Sequence, residues 1–316
     1  MSPSDADSRL SPHPAQAIQR VVLAGASGLI GRALADALRR SGVEVLKLVR
    51  RPAETPDEVA WQPETGQIHA ERIDGAAAIV HLGGESIASG RWTPKRKRQL
   101  IDSRIRTTEL LSETIRRAAH PPRTFVCASA IGFYGDRGAE LLDERSPAGN
   151  GFLPELCTAW ESAAQRAAPA TRVVSARIGI VLSREGGALR NMLTPFRLGV
   201  AGRLGHGTQF MSWIVLSDVV RAVLHILDRP DIRGAVNLTG PEPVPNAEFT
   251  RTLARLLRRP AILPAPAFAL RMVLGELADA LLLASTRVLP TVLLQSGFCF
   301  GASTVEAGLR EALAFP

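Results

Sequence analysis

The chain has 316 residues, 46% of them hydrophobic and 22% charged, with a formal net charge of +8 at pH 7. That length suits one large domain or a core with a smaller partner, and the composition is that of a globular chain rather than a fibrous or disordered one. No run of ~18 apolar residues suggests a membrane span, and Cys127, Cys157 and Cys299 have neither metal spacing nor a disulfide framework, so no metal is expected and a reducing cytoplasm is the expected compartment.

Residues 1–18 are polar, interrupted by Pro3 and Pro14, and lack the basic and apolar regions of a secretory signal. They read as a disordered lead-in. Val21 to Ala24 is a short apolar run, the pattern of a strand buried on both faces of a parallel sheet. It leads into Gly25-Ala26-Ser27-Gly28-Leu29-Ile30-Gly31. A helical pattern follows from Arg32 to Ser41, with Leu34, Ala37 and Leu38 on one face and Gly42 as its C-cap. A second strand, Val43 to Val49, ends in Arg50-Arg51-Pro52. Strand, glycine turn, helix and strand in this order form a dinucleotide-binding unit. The glycines make a tight turn, let backbone approach a pyrophosphate, and let the helix pack closely on the strand. The pyrophosphate then meets free N–H groups at the positive end of the helix dipole. At the end of the second strand an acid would bind a ribose 2′-hydroxyl, whereas an arginine accommodates a 2′-phosphate. This chain has Arg50 and Arg51 there and no acid before Glu54, so NADP(H) is the expected cofactor, with Arg50 its main 2′-phosphate contact. A solvated basic turn is the alternative.

Trp61 opens a polar excursion that ends near Ile73, and Ala77 to Leu82 is the next buried strand, followed by Gly83-Gly84-Glu85. Pro94 to Ala119 carries a long helical pattern, Arg123 to Ala130 a strand, Leu156 to Ala168 a helix, and Thr171 to Leu182 a strand. Much of the positive charge lies between Arg91 and Arg106. That run reads as a solvated helix face, with a place near cofactor phosphates as the alternative. No nucleic-acid motif accompanies it, and no nucleic-acid partner is expected. Beyond Gly186 glycine-rich and short apolar pieces alternate; Ser217-Asp218 reads as an N-cap for a helix to Leu227, and Ala235 to Leu238 as a strand. The remainder is mostly helical, and Phe268 to Leu283, broken by Arg271, Glu276 and Asp279, reads as a buried amphipathic helix. The pattern predicts an α/β doubly wound parallel sheet, a Rossmann fold, over residues 19–182. A smaller, mostly helical C-terminal lobe spans residues 183–316, with 218–240 returning to the sheet.

The Gly-x-x-Gly-x-x-Gly spacing is joined by Gly83-Gly84-Glu85-Ser86-Ile87-Ala88, Arg91-Trp92-Thr93, Ser103-Arg104, and Ser129-Ala130-Ile131-Gly132-Phe133-Tyr134-Gly135. Further on come Cys157-Thr158-Ala159-Trp160-Glu161, Pro195-Phe196-Arg197-Leu198-Gly199, Ser212-Trp213-Ile214, Leu274-Gly275-Glu276 and Gly297-Phe298. In these segments, across nearly the whole chain from Val21, the sequence resembles the epimerase-family branch of the extended short-chain dehydrogenase/reductase superfamily, which carries a C-terminal domain of unknown function. The resemblance implies that Gly25, Ser27, Gly28, Leu29, Ile30 and Gly31 cradle the cofactor. It places Leu82, Gly83 and Gly84 on the adenosine side, Ser103 and Arg104 on a supporting helix, and Arg177, Gly179 and Val181 at the nicotinamide end. It also implies pairing of two chains into a homodimer through helices beside the sheet.

The superfamily works with a Ser/Thr, a Tyr and a Lys four residues after the Tyr, the lysine lowering the tyrosine pKa for proton abstraction. Here that pair falls on Cys157 and Glu161, and the serine on Ala130 or Ser129. The usual acid/base machinery is therefore missing. Tyr134 is a wall or packing residue, or else a proton donor. Glu161 is a substitute acid or base, or else a helix anchor, and Ser129 is a hydrogen-bonding partner for cofactor or substrate. Cys157 reads as a small buried residue. Trp92, Phe210 and Trp213 read as core or as the floor of a substrate pocket, and His206 as solvated. The expected function is an NADP(H)-dependent oxidoreductase or epimerase-like enzyme on an unknown small molecule. The alternative is a non-catalytic NADP(H)-sensing regulator, for example one linked to cell division.

Overall fold

Apolar residues at consecutive positions of one strand demand cover on both faces, and the architecture supplies it. The computed structural model describes residues 18–314, so the lead-in read over residues 1–18 lies outside the described residues except for Ile18. β1 (Arg20–Ala24) is followed by α1 (Leu29–Arg40), β2 (Glu44–Val49), β3 (Glu58–Gln62), β4 (Gln67–Ile68), α2 (Ala70–Ile73) and β5 (Ala78–His81). Then come α3 (Pro94–Arg117), β6 (Thr124–Ala130), a 3-10 turn at Ile131–Tyr134, β7 (Leu141–Leu142), α4 (Phe152–Gln165), β8 (Arg172–Ile178) and β9 (Ile180–Leu182). The later elements are α5 (Gly187–Arg197), β10 (Phe210–Met211), β11 (Trp213–Val215), α6 (Leu216–Asp228), β12 (Gly234–Leu238), β13 (Val244–Pro245) and α7 (Asn246–Leu257). The chain closes with α8 (Ala267–Leu274), a π-helical turn at Ala278–Leu283, β14 (Arg287–Val288), α9 (Thr291–Gln295) and α10 (Val305–Leu313).

The main sheet has the order β12-β8-β6-β5-β1-β2-β3-β4, parallel throughout except for the β3–β4 pair. This is the doubly wound Rossmann arrangement expected from the alternation of strands and helices. Successive residues of β1 serve opposite faces. Val21 and Leu23 pack with Leu34 and Leu38 of α1 and with Val219, Val223 and Ile226 of α6. Val22 and Ala24 pack with Leu111 and Ile115 of α3 and Trp160 of α4. A third cluster builds the C-terminal lobe from Leu189 and Phe196 of α5, Phe249 and Leu253 of α7, Leu309 of α10, and Trp213.

Several local expectations change. The stretch from Trp61 to Ile73 is not an excursion from the sheet: β3 pairs parallel with β2, and β4 forms the edge. α1 starts at Leu29, so Leu29, Ile30 and Gly31 form its first turn. α4 starts at Phe152, four residues early, because Pro154 falls in the first turn, where a missing N–H is harmless. The strand expected from Thr171 to Leu182 divides at Gly179. A Cβ there would lie 2.6 Å from the Ser212 carbonyl oxygen and 2.9 Å from Thr239 Cγ2, so the backbones cross too closely for a side chain. Beyond that crossing β9 leaves the main sheet and pairs with β11. Asp218 is not an N-cap: the helix begins at Leu216 with Val215 in the cap position. Phe268–Leu283 is not one buried helix either. Gly275, with φ +63°, breaks it, and no residue of α8 is buried.

Candidate functional site

The strand order reverses around β1, with β2 on one side and β5 on the other, and a groove opens there beyond the carboxyl ends of the strands. It encloses about 750 Å³ and is lined by the glycine turn, the exposed face of α1, the end of β2, and the segment from His81 to Glu85. Gly25 has φ +84°, and a Cβ on it would stand 2.7 Å from Gly83 N and from Leu82 C. The turn thus lies against the end of β5 and only glycine fits. A Cβ on Gly31 would stand 2.1 Å from the Gly25 carbonyl oxygen, so Gly31 is the close-packing glycine. Gly28 occupies the N-cap of α1 with no side-chain cap, which leaves the first-turn N–H groups without a side-chain acceptor.

The far wall is polar. His81, at the end of β5, is wholly buried. Its Nδ1 accepts from Gly83 N–H at 3.4 Å, and its Nε2 lies 3.1 Å from Thr107 Oγ1. Thr107 already donates to the carbonyl of Ser103 or Arg104, so the network places the imidazole proton on Nε2. Burial, helped by the Arg104 charge, pushes the His81 pKa down to about 3. Arg104 is held by the carbonyls of Leu100 and Glu85, lies over the Trp160 ring, and has its guanidinium within 3.4 Å of the position a Gly84 Cβ would take. Burial lowers its pKa, and no carboxylate pairs with it among the described residues.

The two arginines after β2 have different surroundings. Arg51 is committed to Glu58, with hydrogen bonds of 2.9 and 2.8 Å, and Glu58 also accepts from Glu54 N–H. Arg50 is exposed at the groove and makes no hydrogen bond or ion pair among the described residues. The reading of the sequence passed over Arg32, Arg39, Lys47, Glu58 and His81, all of which line the groove. Arg32 and Arg39 follow Gly28 on one face of α1, a spacing that could have found them; Glu58 opens β3, ahead of the polar excursion expected from Trp61. Of the expected cofactor residues, Gly25, Ser27, Gly28, Arg50, Arg51, Leu82, Gly83, Gly84 and Ser103 line the groove. Leu29, Ile30, Gly31, Arg104, Ser129, Arg177, Gly179 and Val181 are not part of that lining.

The three expected catalytic residues meet in a second network, centred on Arg177 at the end of β8. Glu161 takes two hydrogen bonds of 2.8 Å from the Arg177 guanidinium, and Ser129 Oγ donates to Glu161 Oε1 at 2.7 Å. Arg177 also donates to Tyr134 Oη at 3.0 Å and stacks 3.5 Å above the Phe133 ring. Tyr134 Oη donates to Asn237 Oδ1 at 2.8 Å, and Asn237 Nδ2 to the Leu289 carbonyl. Tyr134 is completely buried, and burial pushes its pKa up to about 12. Its position is that of a packing residue. Cys157 is also buried, and burial first, then the charge of Glu161, raise its pKa to about 11, so it is a poor nucleophile. Trp213 is core, with its indole N–H on the Glu242 carbonyl, and Trp92 packs edge-on against Phe152. Asp218, only 1% exposed, accepts from Gly301 N–H, Ala302 N–H and Arg221, fastening α6 to the C-terminal segment.

The residues present fit a dinucleotide. The cradle excludes Cβ atoms, an α-helix N-terminus lacks a side-chain cap, and an exposed arginine without a partner among the described residues stands at the rim. Among the described residues no group of three or more His, Cys, Asp or Glu side chains is placed to hold a metal ion. Nor is any helix long and apolar enough to cross a membrane.

This fold and groove define a class, and comparison with known proteins agrees: the chain belongs to the NAD dependent epimerase/dehydratase family, which it matches over residues 21–239. Residues 265–312 match a domain of unknown function, DUF1731. Among individual relatives, it is 43% identical over 297 residues to the epimerase family protein ML0860 of Mycobacterium leprae, covering 94% of this chain and 96% of that one. It is 35% identical over 298 residues to the human epimerase family protein SDR39U1, covering 93% of this chain and all of the human one. A crystal structure of human SDR39U1 with NADPH superposes with a TM-score of 0.85 at 33% identity, covering 93% of this chain and 99% of that chain.

Proposed function

We propose that this protein binds NADP(H) in the groove between β1 and β5 and is an oxidoreductase or epimerase-like enzyme acting on a small molecule. The observation that carries the reading is the glycine cradle at the N-terminus of α1, with the exposed Arg50 at its rim. The NADPH in the crystal structure of human SDR39U1 supports the choice of nucleotide. The first-turn N–H groups and the α1 dipole would receive the pyrophosphate, and Arg50 the 2′-phosphate. Arg51, fixed by Glu58, stiffens that rim. Bound NADP(H) supplies or accepts the hydride. On the protein side, Ser129 and Glu161 are the proton carriers: the serine hydroxyl already donates to the carboxylate, which Arg177 orients through both oxygens. Tyr134 supports Arg177 and does not itself reach a ligand.

The experiment is a calorimetric titration with NADPH and NADH on the natural protein and on Arg50→Ala. NADPH should bind more tightly, and the variant should lose about tenfold or more of that preference, the size of a hydrogen-bonded charge contact. Failure of both nucleotides to bind would refute the reading. A second reading, a non-catalytic NADP(H) sensor, is favoured by one feature: the superfamily's Tyr and Lys positions hold the buried Cys157 and an Arg-bound Glu161. NADPH oxidation in the presence of a panel of carbonyl compounds distinguishes the two.

A further inference from the structure

The C-terminal lobe carries an apolar surface that nothing among the described residues covers. Of the ten large apolar side chains exposed among the described residues, seven belong to one region. Leu198 and Val200 follow α5, and Ile262 and Leu263 run beside them, since Leu263 N–H bonds to the Ala201 carbonyl and Leu204 bridges to Ala265. Phe268, Met272 and Val273 continue the surface onto α8, at 67%, 72% and 68% exposure. Monomeric soluble proteins rarely leave a contiguous apolar patch of more than a few hundred Å² bare.

The charge around it is mostly positive, with Glu276 and Asp279 beyond α8 already paired to Lys97 and Arg271. Residues 186–217 contain three arginines and no acidic residue, and residues 249–275 contain five arginines and none. Arg197, Arg203, Arg258 and Arg259 are exposed at the margin of the apolar surface and make no ion pair among the described residues. A second copy of the same face would bring these arginines together, so like-charge repulsion disfavours self-association there. An anionic bilayer surface satisfies both features. Its acyl boundary accepts Phe, Met and Val side chains without requiring matched shapes, and its headgroups neutralise arginines that snorkel from the rim. We propose that this lobe docks the protein on anionic lipid, with α8 lying in the interface. No helix spans the bilayer in this arrangement; the contact is peripheral.

Flotation with vesicles tests this. The purified full-length protein is mixed with vesicles of phosphatidylcholine alone or with phosphatidylserine added, at low and high salt. Capture should require phosphatidylserine and weaken as salt rises. The variant F268S/M272S removes the apolar anchor, and R258E/R259E reverses the rim. Both should lower capture about tenfold or more at unchanged thermal stability, because none of these side chains is buried. Absence of capture at low salt, or capture of either variant equal to that of the natural protein, overturns the proposal. So does a dimer in analytical ultracentrifugation that F268S/M272S dissociates while vesicles are ignored, which would make the face a contact between copies. A salt-sensitive complex with an added acidic polypeptide, without vesicle capture, would overturn it in favour of a protein partner.

Discussion

Arg177 shows how one side chain can hold the end of a sheet together. It binds Glu161 through two hydrogen bonds, contacts Tyr134 and covers Phe133, so the turn after β6, α4 and β8 converge on one guanidinium, and Ser129 of β6 joins through Glu161. Removing one member of a buried ion pair is far more damaging than the pair's net worth, since the remaining charge has no partner. His81 offers the cleaner measurement. Its folded pKa of about 3 lies below the 6.5 of an ordinary histidine, so the unfolded chain binds the extra proton between those values. Stability from neutral His81 is therefore complete above pH ~6.5 and declines as pH falls toward 3, by up to about 1.4 kcal/mol per pH unit. Urea unfolding between pH 7.5 and 5 should show that slope, and His81→Asn should flatten it. An unchanged slope in the variant would assign the pH dependence to other groups.

Among the elements, α6 has a second function beyond covering the sheet. Its residue Asp218 accepts N–H groups of Gly301 and Ala302, so the first turn of a Rossmann helix holds the far end of the chain. An N-cap aspartate would satisfy its own helix; this one satisfies a loop more than 80 residues away. Asp218→Ala leaves those buried donors without an acceptor and should destabilise the protein by about 2–3 kcal/mol. Asp218→Asn, which keeps one acceptor oxygen, should lose less. The midpoints of guanidinium unfolding compare them, and equal midpoints for Ala and the natural residue would show that the contact is dispensable. The residue type and its place before an amphipathic run were legible in the sequence. The partner was not, because the hydrogen bonds cross a separation that only folding closes.

For the whole molecule, the C-terminal lobe and the sheet share a core. Leu293 and Phe298 pack in the same cluster as Val21 and Leu38, and β14 pairs with β7. Asn237 and Glu144 bond to the backbone of Leu289 and Val292. Deleting residues 241–316 would uncover that cluster and strip these partners. The full chain should melt in one cooperative transition followed by circular dichroism, and the chain ending at Gly240 should show none. An independent cooperative melt of the shortened chain would refute this dependence.

The glycine turn, the alternation of strands and helices and the choice of arginine after β2 are determined by the sequence itself. Each rests on residue type and short-range spacing, which the backbone obeys locally. The same limit explains the errors. β3 is not legible because an edge-side strand needs less apolar sequence, and the exposure of α8 is not legible because periodicity shows that a helix has an apolar face without showing what faces it. Tertiary structure alone decided that Ser129, Glu161, Arg177 and Tyr134 form one network, that Arg51 belongs to Glu58 while Arg50 has no partner among the described residues, and that Gly179 marks a crossing of backbones. These are contacts between residues remote in sequence, and a contact exists only once packing has fixed both partners in space.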